Sequence, residues 1–386
     1  MSFLDKSLLK EGFEKNFGTR GDIQYFFSPG RVNLIGEHID YNGGLVFPCA
    51  LSIGIYAAVG YREDKKVRLV SKNMVNKVEF TLNDIQFKEE DGWGNYPKGV
   101  IKYIQEEGYN LKGADIYLES TLPDGAGLSS SAALEVLTGY IMLYPILGDK
   151  IDRVWLSLIC QRAENEFIGV NCGIMDQFSV AMGKRDHAIL LDCNTLEYEY
   201  VPVDLKGYTL VIMNTNKKRE LSESKYNERR YECEMALKHI NDYKKIENLC
   251  YATLEDLGLL KDNLLKTRAR HVITENQRVK EAIKFLKGGN IKEFGKLLVK
   301  SHESLKNDYE VTGLHLDTIV EAALKFEGCI GARMTGAGFG GCGIAIVENK
   351  LLEEFIKEVE VKYKEITNIS PSFYISRIDD GVKMLF

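Results

Sequence analysis

The sequence lacks every feature that would direct a chain into or across a membrane. Residues 1–6, MSFLDK, do not have the apolar stretch of a signal peptide, and no uninterrupted apolar run approaches the ~20 residues that span a bilayer. The net charge is only −6 and the basic residues are spread along the chain, so no basic surface for nucleic acid is indicated. We therefore expect a cytoplasmic protein with small-molecule partners, no nucleic acid, no membrane and no obligate protein partner.

The sequence also shows neither the cysteine and histidine spacing of a zinc site nor a proline-rich linker. The eight cysteines are scattered, with no C-x-x-C pair and no histidine at zinc-ligand spacing, so we expect reduced and mostly buried thiols. The seven prolines never cluster into a linker, which predicts that any domain boundary is a tight connection.

The motifs of two familiar classes of phosphotransfer protein are absent as well. The sequence contains no G-x-x-x-x-G-K-[ST], and it lacks the H-R-D and D-F-G elements of protein kinases. If the chain transfers phosphoryl groups, it must do so on another architecture.

The length and the pattern of the chain predict two domains. With 386 residues and 45% apolar content the chain can bury a large core, on the usual range of roughly 100–200 residues per domain. The first half mixes strand-like runs (53–59, 114–118) with helical stretches (130–143, 153–167), as in α/β or α+β proteins. Beyond a strand-like 208–213, long charged helical segments follow at 222–243 and 276–302, and strands return near 343–347 and 373–378. We place the boundary near residue 205, giving domains 1–205 and 206–386.

A glycine- and serine-rich segment, 122–133, stands between a strand-like run and a helix. Glycines let successive backbone N–H groups converge, and a helix N-terminus adds partial positive charge, so this context suits a phosphate group. A capped Gly-Ser turn would look the same. The candidate nucleotide-binding residues here are Gly125, Ala126, Gly127, Leu128, Ser129, Ser130 and Ser131.

A second glycine cluster occupies residues 334–343, MTGAGFGGCG, ahead of another strand-like run. So many glycines carry a large entropic cost on folding, which favours tight turns or a close approach of the backbone to a ligand. A bulge or a packing crossover would need fewer.

The run at 28–44, SPGRVNLIGEHIDYNGG, resembles the sugar signature of the galactokinase family almost residue for residue. The two glycine segments resemble the second and third motifs of the GHMP kinases, the superfamily to which galactokinases belong, and all three motifs occur in the family's order. Further galactokinase-like stretches lie at 93–100, 172–178, 226–230, 268–272 and 301–305.

The resemblance implies an α+β fold of two domains with the active site between them. The N-terminal domain would be an α/β domain like domain 2 of ribosomal protein S5, and the C-terminal domain would be ferredoxin-like. It also implies the reaction of galactose with ATP, assisted by Mg²⁺, to give galactose 1-phosphate and ADP.

By resemblance, the sugar pocket is formed by Glu37, His38 and Asp40, with Tyr226 and the backbone of Gly173. Carboxylates accept hydrogen bonds from hydroxyl groups and imidazole donates or accepts them, so the trio suits a polyol. An exposed acidic turn would have the same local sequence. The family pattern therefore supplies the assignment.

Asp176 falls near the start of a helix expected at 173–182, where a carboxylate also stabilises the helix dipole without any catalytic role. The resemblance places it beside the anomeric hydroxyl, with Arg31 close to both it and the transferring phosphoryl group. A helix N-terminus and an arginine both favour the ionised carboxylate, which weakens it as a base. We therefore expect Asp176 to orient the sugar and accept its proton late, and Arg31 to stabilise charge in the transition state.

The remaining expectations concern the nucleotide. Glu164 lies on an apolar side of its helix, where a salt bridge to Arg162 or to a distant lysine is one interpretation; by resemblance it binds Mg²⁺ together with Ser131. Trp93 and Tyr96 are either core aromatics or neighbours of the adenine. A kinase for N-acetylgalactosamine or arabinose, and a non-catalytic sugar sensor on the same fold, stay open as alternatives.

Overall fold

The computed structural model describes residues 5–123, 125–217 and 222–385. The strands, numbered in chain order, are β1 (Gln24–Asn33), β2 (Leu45–Val46), β3 (Pro48–Arg62), β4 (Lys66–Ser71), β5 (Val78–Thr81), β6 (Gly113–Ser120), β7 (His187–Asp192), β8 (Tyr198–Pro202), β9 (Tyr208–Asn214), β10 (Cys329–Thr335), β11 (Cys342–Glu348), β12 (Ser372–Ile375) and β13 (Lys383–Leu385). The helices are α1 (Lys6–Phe17), α2 (Asn95–Glu106), α3 (Ser130–Leu147), α4 (Arg153–Arg162), α5 (Met175–Met182), α6 (Ser222–Asn241), α7 (Asn263–Lys287), α8 (Ile291–Ser304), α9 (Gly313–Leu324) and α10 (Leu352–Thr367).

The N-terminal domain is built on a six-stranded sheet in the order β13-β1-β3-β6-β4-β5, with a smaller sheet, β2-β7-β8, beside it. Only the β4–β6 pair of the large sheet is parallel. The first strand of that sheet carries an irregularity between Pro29 and Arg31, where its register against β3 shifts. Such bulges re-aim side chains, and this one lies at the position of Arg31.

The C-terminal domain contains a four-stranded antiparallel sheet in the order β10-β11-β9-β12. Counted along the chain, this is the 2-3-1-4 arrangement of a ferredoxin-like unit, with α6 to α9 inserted between its first two strands and α10 before its last. The expected two-domain α+β fold is therefore confirmed. The boundary near residue 205 falls between β8 and β9 and stays a prediction, because β13 returns from the chain's end to pair with β1.

Alternation along β9 shows how the second sheet is packed on both faces. Leu210 and Ile212 join the large core that extends into the N-terminal domain, whereas Val211 and Met213 join a smaller core with α9 and α10. Successive side chains of a strand point to opposite faces, so one strand contributes to both cores.

One sequence-based expectation about helices needs correction. The helical segment expected at 276–302 is two helices, α7 and α8, because Gly288 and Gly289 interrupt it and Asn290 caps the second by accepting from the Glu293 N–H. The stretch Ser130–Lys150, which contains α3, has the length and apolar character of a membrane span, yet 67% of its apolar 18-residue window is buried inside the protein. It packs as a core helix.

Candidate active site

A cavity of about 400 Å³ opens at the junction of the two domains. Its wall combines residues from β1 and the segment after it, from the start of α5, from α6 and from the second glycine cluster. Among its lining residues are Arg31, Glu37, His38, Asp40, Tyr96, Glu164, Gly173, Asp176, Tyr226 and Gly336. The structure thus brings together all the residues expected to bind sugar and both expected catalytic residues.

The guanidinium of Arg31 and the carboxylate of Asp176 form a two-pronged ion pair at the base of this cavity. Arg31 Nε donates to Asp176 Oδ1 at 2.7 Å and Nη2 donates to Oδ2 at 2.6 Å. Arg31 Nη1 also donates to the Gly127 carbonyl at 2.9 Å, which ties the pair to the first glycine segment. Arginine is largely buried, whereas the Asp176 side chain is 30% exposed. The ion pair is therefore held rigidly, while the carboxylate stays accessible from the cavity.

A third donor, the Ser129 hydroxyl, makes a short hydrogen bond to Asp176 Oδ2. A carboxylate offers about four acceptor positions, so three are occupied and about one is free for a ligand hydroxyl. Asp176 is in the first turn of α5, as expected, although the helix begins at Met175 and not at residue 173.

The N-terminus of α3 lies beside this ion pair. Ser129 precedes the helix in a left-handed conformation (φ +60°) and makes no side-chain cap to the helix N–H groups. Those N–H groups are therefore available to an anion, which fits the predicted phosphate site. Because the Ser129 hydroxyl is directed to Asp176, its contact with phosphate stays a prediction, as do the contacts of Gly125 to Leu128 and of Ser130.

Glu37 is fully enclosed at the domain interface. Its Oε2 accepts from Asn33 Nδ2 at 2.9 Å, and its Oε1 accepts from the Thr335 hydroxyl at 3.0 Å and from the Gly336 N–H at 2.6 Å. Arg333 Nη2 is 3.4 Å from the same Oε1. The carboxylate therefore connects the sugar signature directly to the second glycine cluster.

His38 begins a chain of polar groups that leads away from the cavity. Its Nε2 lies 3.2 Å from the Ala337 carbonyl, so that nitrogen carries the proton, and Nδ1 accepts from the Tyr41 hydroxyl at 2.9 Å. The Tyr41 oxygen lies 2.8 Å from the Tyr309 hydroxyl. Burial lowers the pKa of His38 to about 3, so at physiological pH the ring is neutral and accepts from Tyr41 while it donates to the Ala337 carbonyl.

Asp40 faces the wall of the cavity that Gly173 supplies. A Cβ at position 173 would lie 1.9 Å from Asp40 Oδ2, so only glycine leaves room for this carboxylate. Burial, followed by the negative charge of Asp176, raises the pKa of Asp40 to about 7. Tyr226 closes the same side, with its ring centroid 5.6 Å from that of His38.

Glu164 has no cationic partner within ion-pair distance among the described residues, so its interpretation as a salt bridge is wrong. Arg162 is directed away to Glu106 and Glu166, and Glu164 instead accepts from Gln177 Nε2 at 2.6 Å. A π-helical turn at Ala163–Ile168 continues α4 and carries the carboxylate. Such turns are frequent at functional sites.

A second buried acid accompanies Glu164. Glu135 Oε2 accepts from the same Gln177 nitrogen at 3.1 Å, while Glu135 Oε1 and Gln177 Oε1 are buried with no hydrogen-bond partner among the described residues. Burial and the charge of Asp176 raise the pKa of Glu164 to about 7. The pKa of Glu135 is raised well above its ordinary value by burial and by Glu164. Among the described residues this cluster of acids therefore lacks a compensating cation.

Trp93 and Tyr96 line a separate cavity of about 210 Å³ together with Ser130 and Ser131. Tyr96 also lines the larger cavity, so the two spaces adjoin. An aromatic wall next to an uncapped helix N-terminus has the right chemistry for a base on one side and phosphates on the other.

Several residues of the site escaped the sequence reasoning: Ser129 as a partner of Asp176, Thr335 and Gly336 as partners of Glu37, and Gln177 between the two buried acids. The available signals were the glycine cluster around Gly336 and the amide side chain directly after Asp176. Neither signal identifies a partner by itself.

Comparisons with known proteins agree with this geometry. The galactokinase galactose-binding signature matches residues 11–61, the GHMP kinases N terminal domain matches residues 95–184, and the GHMP kinases C terminal domain matches residues 280–364. A galactokinase of Clostridium tetani is 58% identical over 378 residues, 97% of this chain and 96% of the relative. One of Fusobacterium nucleatum is 53% identical over 97% of this chain and 98% of the relative.

Comparison with solved structures identifies the same fold. The structure of Lactococcus lactis galactokinase complexed with galactose superposes with a TM-score of 0.95 at 47% identity, covering 98% of this chain and 100% of that one. Methanococcus jannaschii mevalonate kinase shares the fold at a TM-score of 0.69 and 20% identity, over 94% of this chain and all of that one. The fold and its domains are those of a GHMP kinase, a phosphotransferase that acts on small molecules. Within that class, the chain belongs to the galactokinase family.

Proposed function

We propose that this enzyme transfers the γ-phosphoryl group of ATP to the anomeric hydroxyl of galactose, giving galactose 1-phosphate and ADP. The observation that carries the proposal is the accessible carboxylate of Asp176, fixed by Arg31 and facing a cavity that Glu37, His38 and Asp40 also line. The galactose complex of the Lactococcus lactis relative supports the choice of sugar.

In this reaction the free acceptor position of Asp176 receives the hydrogen bond of the anomeric hydroxyl. The hydroxyl oxygen forms a bond to the γ-phosphorus while the bond to the bridging oxygen of ADP breaks, and the hydroxyl proton passes to Asp176 late in the transfer. Arg31 holds the Asp176 carboxylate in place. In this proposal its guanidinium also lies next to the transferring phosphoryl group and stabilises the charge that spreads over its oxygens. Orientation and electrostatics therefore supply most of the catalysis.

We propose that Ser131 and Glu164 hold Mg²⁺ against the nucleotide. The fit rests on the acidic cluster: Glu164 is buried without a cationic partner among the described residues, and oxygen ligands are those that Mg²⁺ prefers. No group of three or more His, Cys, Asp or Glu side chains suited to a metal occurs in the described part of the chain. In our proposal, substrate phosphates would complete the ligands of Mg²⁺, and the ion would neutralise phosphate charge.

Trp93 and Tyr96 supply the wall for the adenine in this proposal, and the glycines and serines of 125–131 surround the phosphates. The proposed enzyme works in the cytoplasm on galactose and ATP. The domain division at about residue 205 assigns the nucleotide cavity to the N-terminal part and the sugar cavity to both parts.

The experiment that tests the function is a coupled ADP-release assay with galactose, glucose, N-acetylgalactosamine, arabinose, mevalonate and homoserine. We expect galactose to have the highest kcat/KM. A higher value for N-acetylgalactosamine or arabinose would reassign the substrate. Galactose binding without ADP release would make the protein a sensor, which the intact pair of Arg31 and Asp176 argues against.

A further inference from the structure

The backbone that carries the sugar-binding trio is held in conformations that few residues adopt. Gly36 has φ +99° and His38, which has a side chain, has φ +60°. Glycine adopts a positive φ readily, but for His38 this conformation is unfavourable and persists only where the surrounding structure holds it in place. Something outside this short segment must therefore fix the peptide between Gly36 and His38.

Helix α7 of the C-terminal domain makes the required contacts through two buried side chains. Glu275 Oε1 accepts from the Gly36 N–H at 2.9 Å and from the Glu37 N–H at 3.3 Å. His271 Nε2 donates to the Glu37 carbonyl at 3.0 Å, since a carbonyl oxygen only accepts. The two side chains are four residues apart and project from the same face of the helix. Together they bind the backbone N–H and the backbone carbonyl of Glu37.

Neighbouring groups fix the orientation of these two side chains. Ser301 donates to Glu275 Oε1 at 2.6 Å, and Arg278 Nε donates to Glu275 Oε2 at 2.6 Å. His271 Nδ1 lies 2.9 Å from the Ser304 hydroxyl. Both His271 and Glu275 are 0% exposed, and neither lines the sugar cavity.

The charge states of the two side chains match these contacts. Burial raises the pKa of Glu275, but Arg278, His271 and Arg333 together outweigh it and bring the pKa to about 2, so the acceptor is ionised. Burial lowers the pKa of His271 to about 4, which leaves a neutral ring with one N–H. That single N–H is the one donated to the Glu37 carbonyl.

We infer that His271 and Glu275 are positioning residues of the sugar site, which hold the Gly36–Glu37 peptide so that the side chains of Glu37, His38 and Asp40 face the cavity. The inference rests on the proposed function, because it takes galactose as the ligand of that cavity. It predicts an effect confined to the sugar, since Trp93 and Ser131 of the nucleotide cavity lie elsewhere in the N-terminal domain.

The test compares two replacements of His271 by calorimetric titration with galactose, alongside KM for ATP and for galactose. His271→Leu removes the donor, whereas His271→Gln keeps an N–H close to the position of Nε2. We expect His271→Leu to weaken galactose binding about 5- to 100-fold, because the buried Glu37 carbonyl loses its partner, with KM for ATP unchanged within about twofold. His271→Gln should recover most of the loss.

A matched control comes from the same helix. Asn276 also reaches across to the N-terminal domain, accepting from the Leu45 N–H at 2.9 Å, but within the described part of the chain it makes no hydrogen bond to residues 36–40. Asn276→Ala should lower the melting temperature while galactose affinity stays within about twofold of the wild type. Glu275→Gln, which keeps the size but removes the charge, should weaken galactose binding about fivefold and provides the test if His271→Leu fails to fold.

Three results would overturn the inference: His271→Leu with wild-type galactose affinity, a parallel loss of ATP and galactose affinity, or an Asn276→Ala variant that loses galactose as strongly as His271→Leu. Wild-type protein that does not bind galactose would overturn the proposed function as well. The wild-type titration therefore separates the two failures.

Discussion

Replacing Arg31 by alanine tests whether charge stabilisation or proton removal carries most of the catalysis. The side chain donates two hydrogen bonds to Asp176 and one to the Gly127 carbonyl, so its loss frees the carboxylate. It also removes the positive charge that we propose lies next to the transferring phosphoryl group. An arginine that stabilises phosphoryl transfer is worth ~10³–10⁵ in rate, which corresponds to about 4–7 kcal/mol of the barrier. We expect Arg31→Ala to lower kcat within this range.

Asp176→Asn provides the comparison, because it keeps the size of the side chain and removes its charge. A conventional general base contributes ~10²–10⁴ in rate. On our interpretation Asp176 mainly orients the sugar. The kcat of Asp176→Asn should therefore stay at least about tenfold above that of Arg31→Ala. The two residues are in direct contact, and their effects will not add.

A double-mutant cycle measured in the ADP-release assay distinguishes the two roles of Arg31. If Arg31 acted only through Asp176, Arg31→Ala would have no further effect in the Asp176→Asn background. We expect a further loss of at least about tenfold there, because Arg31 also acts on the phosphoryl group. Arg31→Lys, which keeps the charge but loses the two-pronged geometry, should fall between the wild type and Arg31→Ala.

The pH dependence of kcat gives the result that would refute this reasoning. We expect no change of kcat between about pH 6 and pH 8 that depends on Asp176, so a change caused by Asp40 or Glu164, whose pKa values are raised to about 7, should persist in Asp176→Asn. A fall in kcat on the acid side near pH 6–7 that disappears in Asp176→Asn, in protein whose circular dichroism is unchanged, would establish general-base catalysis.

Three further predictions concern the rest of the site. Asp40→Asn should raise the melting temperature by about 1–3 °C more at about pH 8 than at about pH 5, because a carboxyl whose pKa is raised to about 7 destabilises the folded protein increasingly as pH rises from about 4 to about 7. Equal shifts at both pH values, measured by scanning fluorimetry, would contradict that pKa. Glu164→Gln should raise the Mg²⁺ concentration needed for half-maximal rate and lower kcat, while galactose binding measured by calorimetry changes little; an equal loss of galactose affinity would mark Glu164 as structural. Galactose should be strongly preferred over glucose, its C4 epimer, because one buried polar group left unpaired costs ~1–3 kcal/mol. Comparable kcat/KM values for the two sugars would disprove that discrimination.

The sequence predicted the individual residues of the site better than the contacts between those residues. Arg31 and Asp176 are 145 positions apart, and no local pattern shows that they form an ion pair. The assignment came from resemblance to a family, whereas the hydrogen-bond geometry, the third donor Ser129 and the bulge that re-aims Arg31 required coordinates. The strand and helix patterns indicated two domains of mixed helix and strand, because long periodic segments report burial directly, whereas the choice of the α+β fold came from the resemblance.

Glu164 illustrates a different limit. Its position on an apolar helix face correctly indicated burial, but the partner was sought among cations, the usual companions of a buried carboxylate. The structure gives it Gln177 and a second acid, Glu135, on a π-helical turn that helical periodicity does not reveal. Residues that depart from the usual pairing rule are expected at functional sites, where a ligand completes the interaction.

The two cavities differ in how much they depend on the docking of the domains. The cavity beside Trp93 is lined only by residues 55–134, all from the N-terminal part of the chain. The sugar cavity needs Tyr226 and Gly336 from the C-terminal part, and the Glu37 carboxylate takes two hydrogen bonds from Thr335 and Gly336. A shift of one domain against the other would therefore disturb the sugar cavity before the nucleotide cavity. Separate measurement of galactose and ATP affinity thus reports on the domain interface, whereas a fall in overall rate would not locate the change.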